Sequence, residues 1–231
     1  MRDGFILAGT RPKCGKTVLA AGLSLALTRQ GYAAQPIKPL RFSKTLYCGA
    51  DQAFFNKILP RKKPFEPIEV PSHQHMNAVL WRQLLDMCRQ QTGLTVIEAP
   101  AVVTQPLLRK DPAWWDITHL ARELELPVVL VVPQSELLLG ELLPAIAHLT
   151  AHQCPPMAWV AVETRPDPLP PSWDADVQWL HQAMNLPFLG VLPYQVGISV
   201  ESLLPGDVEG AVDDGIDLLP LLKGLSAHVG Y

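Results

Sequence analysis

Short, largely apolar runs alternate along this chain with longer stretches that are apolar on one side. The runs fall at residues 5–8, 33–38, 95–98, 128–132, 158–162 and 188–192, and their brevity predicts strands buried in a parallel sheet. Between them, Val18, Leu19, Gly22, Leu23, Leu25 and Ala26 recur at helical spacing as far as Gln30, and Gly31 supplies a stop. Val79, Leu80, Leu84 and Met87 share one face of 76–91, and Ile117, Leu120, Ala121 and Leu124 share one face of 116–124. Residues 135–150 are apolar over most of the circumference. Strands separated by helices predict an α/β fold with a mostly parallel central sheet, right-handed crossovers and helices on both faces. Ligands of such sheets sit at the carboxyl ends of the strands, which brings Lys16, Lys38 and Glu98 to one edge.

Length and composition narrow the picture. The 231 residues suit a single domain spanning 1–231, and a hydrophobic share of 48% is ample for its core. A net charge of -3 argues against nucleic acid as a partner, so any anion site must be local, and the basic run at 60–64 reads as a solvated loop. The longest apolar run, 128–132, is too short to span a membrane. Nothing near Met1 resembles a signal peptide, because the apolar residues after Arg2 already form the first strand. Cys14, Cys48, Cys88 and Cys154 show neither paired spacing nor a metal pattern, which predicts reduced thiols in a cytoplasmic protein. His73 and His75 lack a third ligand at useful spacing and read as a surface loop. Trp114 and Trp115, just ahead of a helix, read as packing groups, and the proline-rich stretch 164–173 as a rigid surface loop.

The candidate chemistry starts where the first strand ends, in "GTRPKCGKT" from Gly9. The phosphate-loop template is G-x-x-x-x-G-K-[ST], whose backbone N–H groups cradle phosphates while the lysine reaches the terminal ones. Gly15, Lys16 and Thr17 fit it, and the upstream glycine, Gly9, comes one residue early. A strand before and a helix after supply the right context, since a helix N-terminus aims free N–H groups and partial positive charge at an anion. Gly9, Thr10, Arg11, Lys13, Cys14, Gly15, Lys16 and Thr17 are therefore candidate phosphate contacts, with Lys16 expected as an exposed loop cation. A tight turn whose glycines serve packing alone is the competing reading. Lys38 ends the second strand, where it could stabilise a transferring phosphoryl group or merely snorkel. Asp51 precedes a helical pattern that an N-cap would explain, whereas Glu98, closing the third strand, has no place in a core. Thr17, Asp51 and Glu98 together form an oxygen set suited to Mg²⁺, which takes few protein oxygens plus substrate phosphates.

In order and spacing, "GTRPKCGKT", "IKPL", "ADQA" and "VIEAPA" resemble the motifs of the dethiobiotin synthetase family. The resemblance continues through "LARELELPVVLVV", "LLGELL", "MAWVAVE" and "FLGVLPY" to "GIDLLPLL", nearly the whole chain. It implies a P-loop fold like that of the nitrogenase iron protein, a homodimer, and use of ATP, Mg²⁺ and CO₂ to close a ureido ring on a diaminononanoate. By this resemblance Lys16 would hold the phosphates, and Thr17, Asp51 and Glu98 would hold Mg²⁺. Lys38 would stabilise the carbamate and the phosphoryl group it receives. The family's loop has five residues between its glycines, which accounts for the position of Gly9.

The departures are specific. Arg11, Pro12 and Lys13 replace the family's D-T-x, and Arg11, Lys13 and Lys16 make the local field more positive. Arg11 also falls where partition and cell-division ATPases carry a lysine reaching across the dimer. Where the family has a G-A-G-G turn against which the diamine lies, this chain has Ala99, Pro100, Ala101 and Val102. The family's adenine-binding asparagine corresponds to Val162 followed by Glu163, which makes Glu163 the candidate base contact. The stretch L-G-x-I-N-H becomes "LGELLP". Phosphate and metal parts are kept; substrate and base parts are altered. Two readings follow: an ATP-dependent ligase of the dethiobiotin synthetase kind, or a nucleotide-binding homodimer that has lost this substrate and serves as a switch, partner-binding protein or ligase for another molecule.

Overall fold

A computed structural model describes residues 4–42, 49–61, 63 and 65–229, so Cys48 and part of the basic run at 60–64 lie outside the described residues. All six predicted runs join one sheet: β1 (Gly4–Gly9), β2 (Gln35–Ile37), β3 (Thr95–Val102), β4 (Val128–Pro133), β5 (Ala158–Val162) and β6 (Phe188–Leu192). Their order is β6-β5-β4-β1-β3-β2, and every neighbouring pair is parallel. The helices are α1 (Lys16–Arg29), α2 (Ala50–Ile58), α3 (Ala78–Arg89), α4 (Ile117–Leu124), α5 (Leu138–Ala151), α6 (Trp173–Met184), α7 (Val208–Gly215) and α8 (Leu218–Val229).

Strand side chains alternate between two faces, and each face has its own core. Ile6, Ile97, Leu130 and Trp159 meet the apolar stripes of α3, α4, α5 and α6. Phe5, Leu7, Val96, Val129 and Val160 meet α1, α2, α7 and α8. Each fully buried aliphatic or aromatic side chain contributes about 1.5–3 kcal/mol, so the central strands anchor both layers at once. Among the described residues no helix is long and apolar enough to cross a membrane.

Two expectations need correction. Glu98 does not close its strand: β3 runs on to Val102, and its register against β1 slips between the pairs Leu7–Glu98 and Gly9–Val102. Pro100 falls within that irregularity, where a missing N–H costs no ladder bond, so the proline is tolerated in a central strand. Nor is Asp51 an N-cap. Gly49 caps α2, and Asp51 sits in its first turn with its carboxylate free to look elsewhere. Trp115 packs as expected, edge-on to Trp81 at 5.3 Å and stacked on His119 at 5.4 Å, but Trp114 remains 46% exposed. His73–His75 forms a single 3₁₀ turn at the surface, and residues 164–172 are loop.

One buried polar junction ties α4 to α5. Asp116 caps α4, accepting from the Thr118 N–H at 2.9 Å and the Thr118 hydroxyl at 2.6 Å, while His148 Nε2 on α5 lies 2.7 Å from its other oxygen. Burial alone would raise the Asp116 carboxyl, but the bonds from Thr118, His148 and His119 outweigh it and hold the group below its ordinary value. A depressed carboxyl stabilises the fold above its unfolded pKa, near 3.9, and loses that contribution as pH falls through the folded value. Asp116→Ala is therefore expected to lose about 1–2 kcal/mol at neutral pH. Urea unfolding should show the gap to the wild type narrowing once the pH drops below about 4.

Candidate functional site

The loop after β1 is shaped for an anion. Gly15 caps α1 with a left-handed φ of 88°, and a Cβ there would collide with the Val162 side chain. No side chain caps α1 and no acid lies in its first turn, which leaves its N–H groups for a ligand. Lys16 opens that helix and is only 8% exposed, not the exposed cation anticipated. Its ammonium folds back over the end of β1: a Cβ on Gly9 would stand 2.8 Å from Lys16 Nζ and 2.5 Å from Cys14 Sγ. Gly9 is thus empty space that the lysine needs. Cys14 is fully buried beneath the loop, and burial pushes its thiol up further than the Lys16 charge draws it down. It packs as a neutral thiol.

Thr10 and Arg11 do something else. The Thr10 hydroxyl donates to Glu141 on α5 at 2.7 Å, and the Arg11 guanidinium lies 3.5 Å from the other Glu141 oxygen. These two loop residues face α5, and Arg11 adds little net positive charge to the cleft because Glu141 offsets it. Glu141 went unseen in the sequence because 131 residues separate it from Thr10; its one signal is that it is the sole acid in the first turn of an apolar helix.

Beside the loop lies a compact charge cluster. Lys38 Nζ donates to Asp51 Oδ2 at 2.6 Å and to Glu98 Oε1 at 2.8 Å, and the Thr17 hydroxyl donates to Asp51 Oδ1 at 3.2 Å. Glu98 is 2% exposed, and its Oε2 has no hydrogen-bond partner. Burial would lower the Lys38 ammonium, but Glu98 and Asp51 together hold it above its ordinary value. Among the described residues no group of three or more His, Cys, Asp or Glu side chains is arranged to hold a metal ion. Two carboxylates, one of them with an orphaned buried oxygen, and one hydroxyl fit instead a hard cation that brings its remaining ligands with a phosphate chain.

Loop and cluster share a cleft of about 690 Å³. One end is walled by Phe42 and by Ala99 to Val102; the middle is the loop from Pro12 to Thr17. The other end is formed by Val162, Glu163, Leu192, Pro193, Tyr194 and Ile198. Glu163 is fixed there: its N–H donates to the Leu192 carbonyl and its Oε2 accepts from the Tyr194 N–H, both at 2.9 Å. Lys16, Lys38 and Glu98, which the strand-end rule brings to one edge, line one cavity, and Thr17 and Asp51 line it beside them.

A family model described as an AAA domain matches residues 3–202. The chain belongs to this AAA-domain family. Curated relatives sharpen the placement. The ATP-dependent dethiobiotin synthetase of Aromatoleum aromaticum is 27% identical over 226 residues, covering 87% of this chain and 97% of the relative. That of Gloeobacter violaceus is 27% identical over 208 residues, covering 83% and 86%. The resemblance to dethiobiotin synthetases read from the motifs therefore stands. Among solved structures, the MinC:MinD cell division protein complex of Aquifex aeolicus matches with a TM-score of 0.58 at 10% identity, covering 99% of this chain and 96% of that one. That likeness concerns the P-loop fold alone.

Lys16→Ala should weaken Mg²⁺–nucleotide binding by about two orders of magnitude, the loss of two charge-assisted bonds. Isothermal titration measures it, and circular dichroism should show the fold intact. Unchanged affinity would remove the loop from the site.

Proposed function

We propose that this member of the AAA-domain family is a Mg²⁺- and nucleoside-triphosphate-dependent ligase of the dethiobiotin synthetase kind, working as a cytoplasmic homodimer. The observation that carries the reading is the Lys38 ammonium held between Asp51 and Glu98 beside Thr17 of the phosphate loop. Lys16 and the α1 N–H groups would bind the terminal phosphates. Thr17, Asp51 and Glu98 would hold Mg²⁺, which when bound neutralises phosphate charge. Were Asp51 and Glu98 to turn to the metal, Lys38 would be free to meet an anionic oxygen. In the reaction implied by the relatives, an amine adds to CO₂ to give a carbamate, whose oxygen takes the γ-phosphoryl group as the nucleoside diphosphate leaves. A second amine then attacks the carbamoyl carbon, phosphate departs, and the ring closes. Lys38 would stabilise the carbamate and the phosphoryl oxygens, and catalysis would rest on positioning and charge neutralisation.

Lys38 and a metal compete for the same carboxylates in this reading. Lys38→Met should therefore bind Mn²⁺ more tightly than wild type without nucleotide, by about tenfold if one charge-assisted bond is released, while turnover collapses. Electron paramagnetic resonance of free Mn²⁺ reads the first effect independently of the second. Weaker Mn²⁺ binding would count against the shared site.

The strand continuing through Ala99–Val102 favours the second reading on one point. Side chains and an imide nitrogen stand where the dethiobiotin synthetase motif has glycines, which narrows the space for a diamine and withdraws one N–H. Nucleotide is expected to bind well, and diaminononanoate with bicarbonate to stimulate hydrolysis only weakly. Replacing Ala99, Pro100 and Val102 with glycine should raise dethiobiotin formation, followed by mass spectrometry. No dethiobiotin from either protein would leave the nucleotide-binding module, or a ligase for another substrate, in place of this one.

A further inference from the structure

We infer that Glu163 makes this cleft prefer guanine to adenine, although the curated relatives are named as ATP-dependent enzymes. The inference rests on reading the cleft as a nucleotide site. The chemistry of its two ends orients the nucleotide. Lys38, Asp51 and Glu98 suit the terminal phosphate and its metal, so the base must lie at the opposite end, between Val162, Leu192, Pro193, Tyr194 and Ile198. Those apolar and aromatic walls suit a flat heterocycle.

What such walls cannot do is tell bases apart. That falls to the polar groups among them. Thr164, Gln195 and Ser199 line the same cavity, but hydroxyls and an amide both donate and accept, so they suit either purine; Glu201 lines it too, but as an exposed side chain. Glu163 is different. It follows directly on Val162, whose side chain abuts Gly15 of the phosphate loop, so it stands a short step from the phosphates. The Leu192 carbonyl holds its backbone, and the Tyr194 N–H holds one carboxylate oxygen. A carboxylate offers about four acceptor positions and no donor, so the Tyr194 bond leaves room for more.

Guanine is the one common base with two adjacent donors on its pairing edge, N1–H and the 2-amino group. Both can reach a carboxylate at once. Adenine places a lone pair at N1 next to its 6-amino donor, and cytosine does the same at N3. Either would set a lone pair against a negative oxygen. Uracil has one donor between two carbonyls. An asparagine at this position would suit adenine's donor–acceptor edge; a carboxylate opposes it.

The test titrates the full chain, with Mg²⁺, against the non-hydrolysable imido analogues of GTP, ATP and ITP. The GTP analogue should bind about ten- to a hundredfold more tightly than the ATP analogue, the discrimination a bidentate base contact provides. The ITP analogue, which lacks the 2-amino group, should fall between them. Glu163→Gln should erase most of the difference, chiefly by tightening ATP. An ATP analogue binding as well as GTP in the wild type would overturn the inference while leaving the nucleotide site intact. So would a guanine preference that Glu163→Gln leaves unchanged. Failure of all three to bind would overturn both this inference and the nucleotide reading beneath it.

Discussion

A carboxylate that is 2% exposed must be met by a cation, and Glu98 is met by Lys38 at 2.8 Å. Much of the molecule is arranged to make that meeting possible. Ile37 stands opposite Ile97 in the parallel pairing of β2 with β3, so Lys38 and Glu98 arrive level with one another just beyond it. A slip of one residue would turn one of the two charges to the wrong face. Asp51 reaches the same ammonium from the first turn of α2, and Thr17 reaches Asp51 from the start of α1. Removing one member of a buried ion pair costs about 3–5 kcal/mol, because the survivor is left uncompensated. The charge cluster beside the loop thereby also fixes the edge of the sheet.

The phosphate loop is held by comparable reciprocity. Lys16 needs the space left by Gly9, Cys14 fills the floor beneath, and Gly15 supplies a backbone angle other residues adopt only with strain. Glu141 binds the loop's outer shoulder to α5 through Thr10 and Arg11. That contact lowers the local positive field which three closely spaced cations would otherwise create. The extra charge legible in the loop therefore serves to anchor it, and among the described residues the free positive charge at the cleft is that of Lys13, Lys16 and the α1 N-terminus.

The sheet was legible because buried parallel strands have to be apolar on both sides, and the runs at 5–8, 128–132 and 158–162 announce themselves that way. Short pairings such as Leu108–Lys110 with Ala113–Trp115 were not legible. Three residues carry no measurable period, and Arg109, Lys110 and Trp114 keep much of their surface in water. Lys16, Lys38 and Glu98 could be gathered from the rule that ligands sit at strand carboxyl ends. Their mutual bonds could not, since an Asp51 one residue inside its helix and an Asp51 at the cap look alike in sequence. The continuation of β3 was hidden by Pro100, whose usual meaning is a strand's end; only pairing with Gly9 across an irregular register shows why it is tolerated.

Two of the departures from the dethiobiotin synthetase motifs, Ala99–Val102 and Glu163, lie on the cleft's two walls, and physics explains why change is tolerated there. Lys16, Lys38, Asp51, Glu98 and Thr17 are bound to one another or to the loop's own packing, so a change in any one strands a charge or fills a needed space. Ala99, Pro100 and Val102 at one end and Glu163 at the other answer to no such partner beyond backbone contacts. These residues line the cleft. A small residue exchanged for a larger one there, or an amide for a carboxylate, leaves the phosphate machinery intact and changes only what enters beside it. Under the proposed function, substrate and base could therefore diverge independently of each other while the phosphate loop and its charge cluster stay fixed between them.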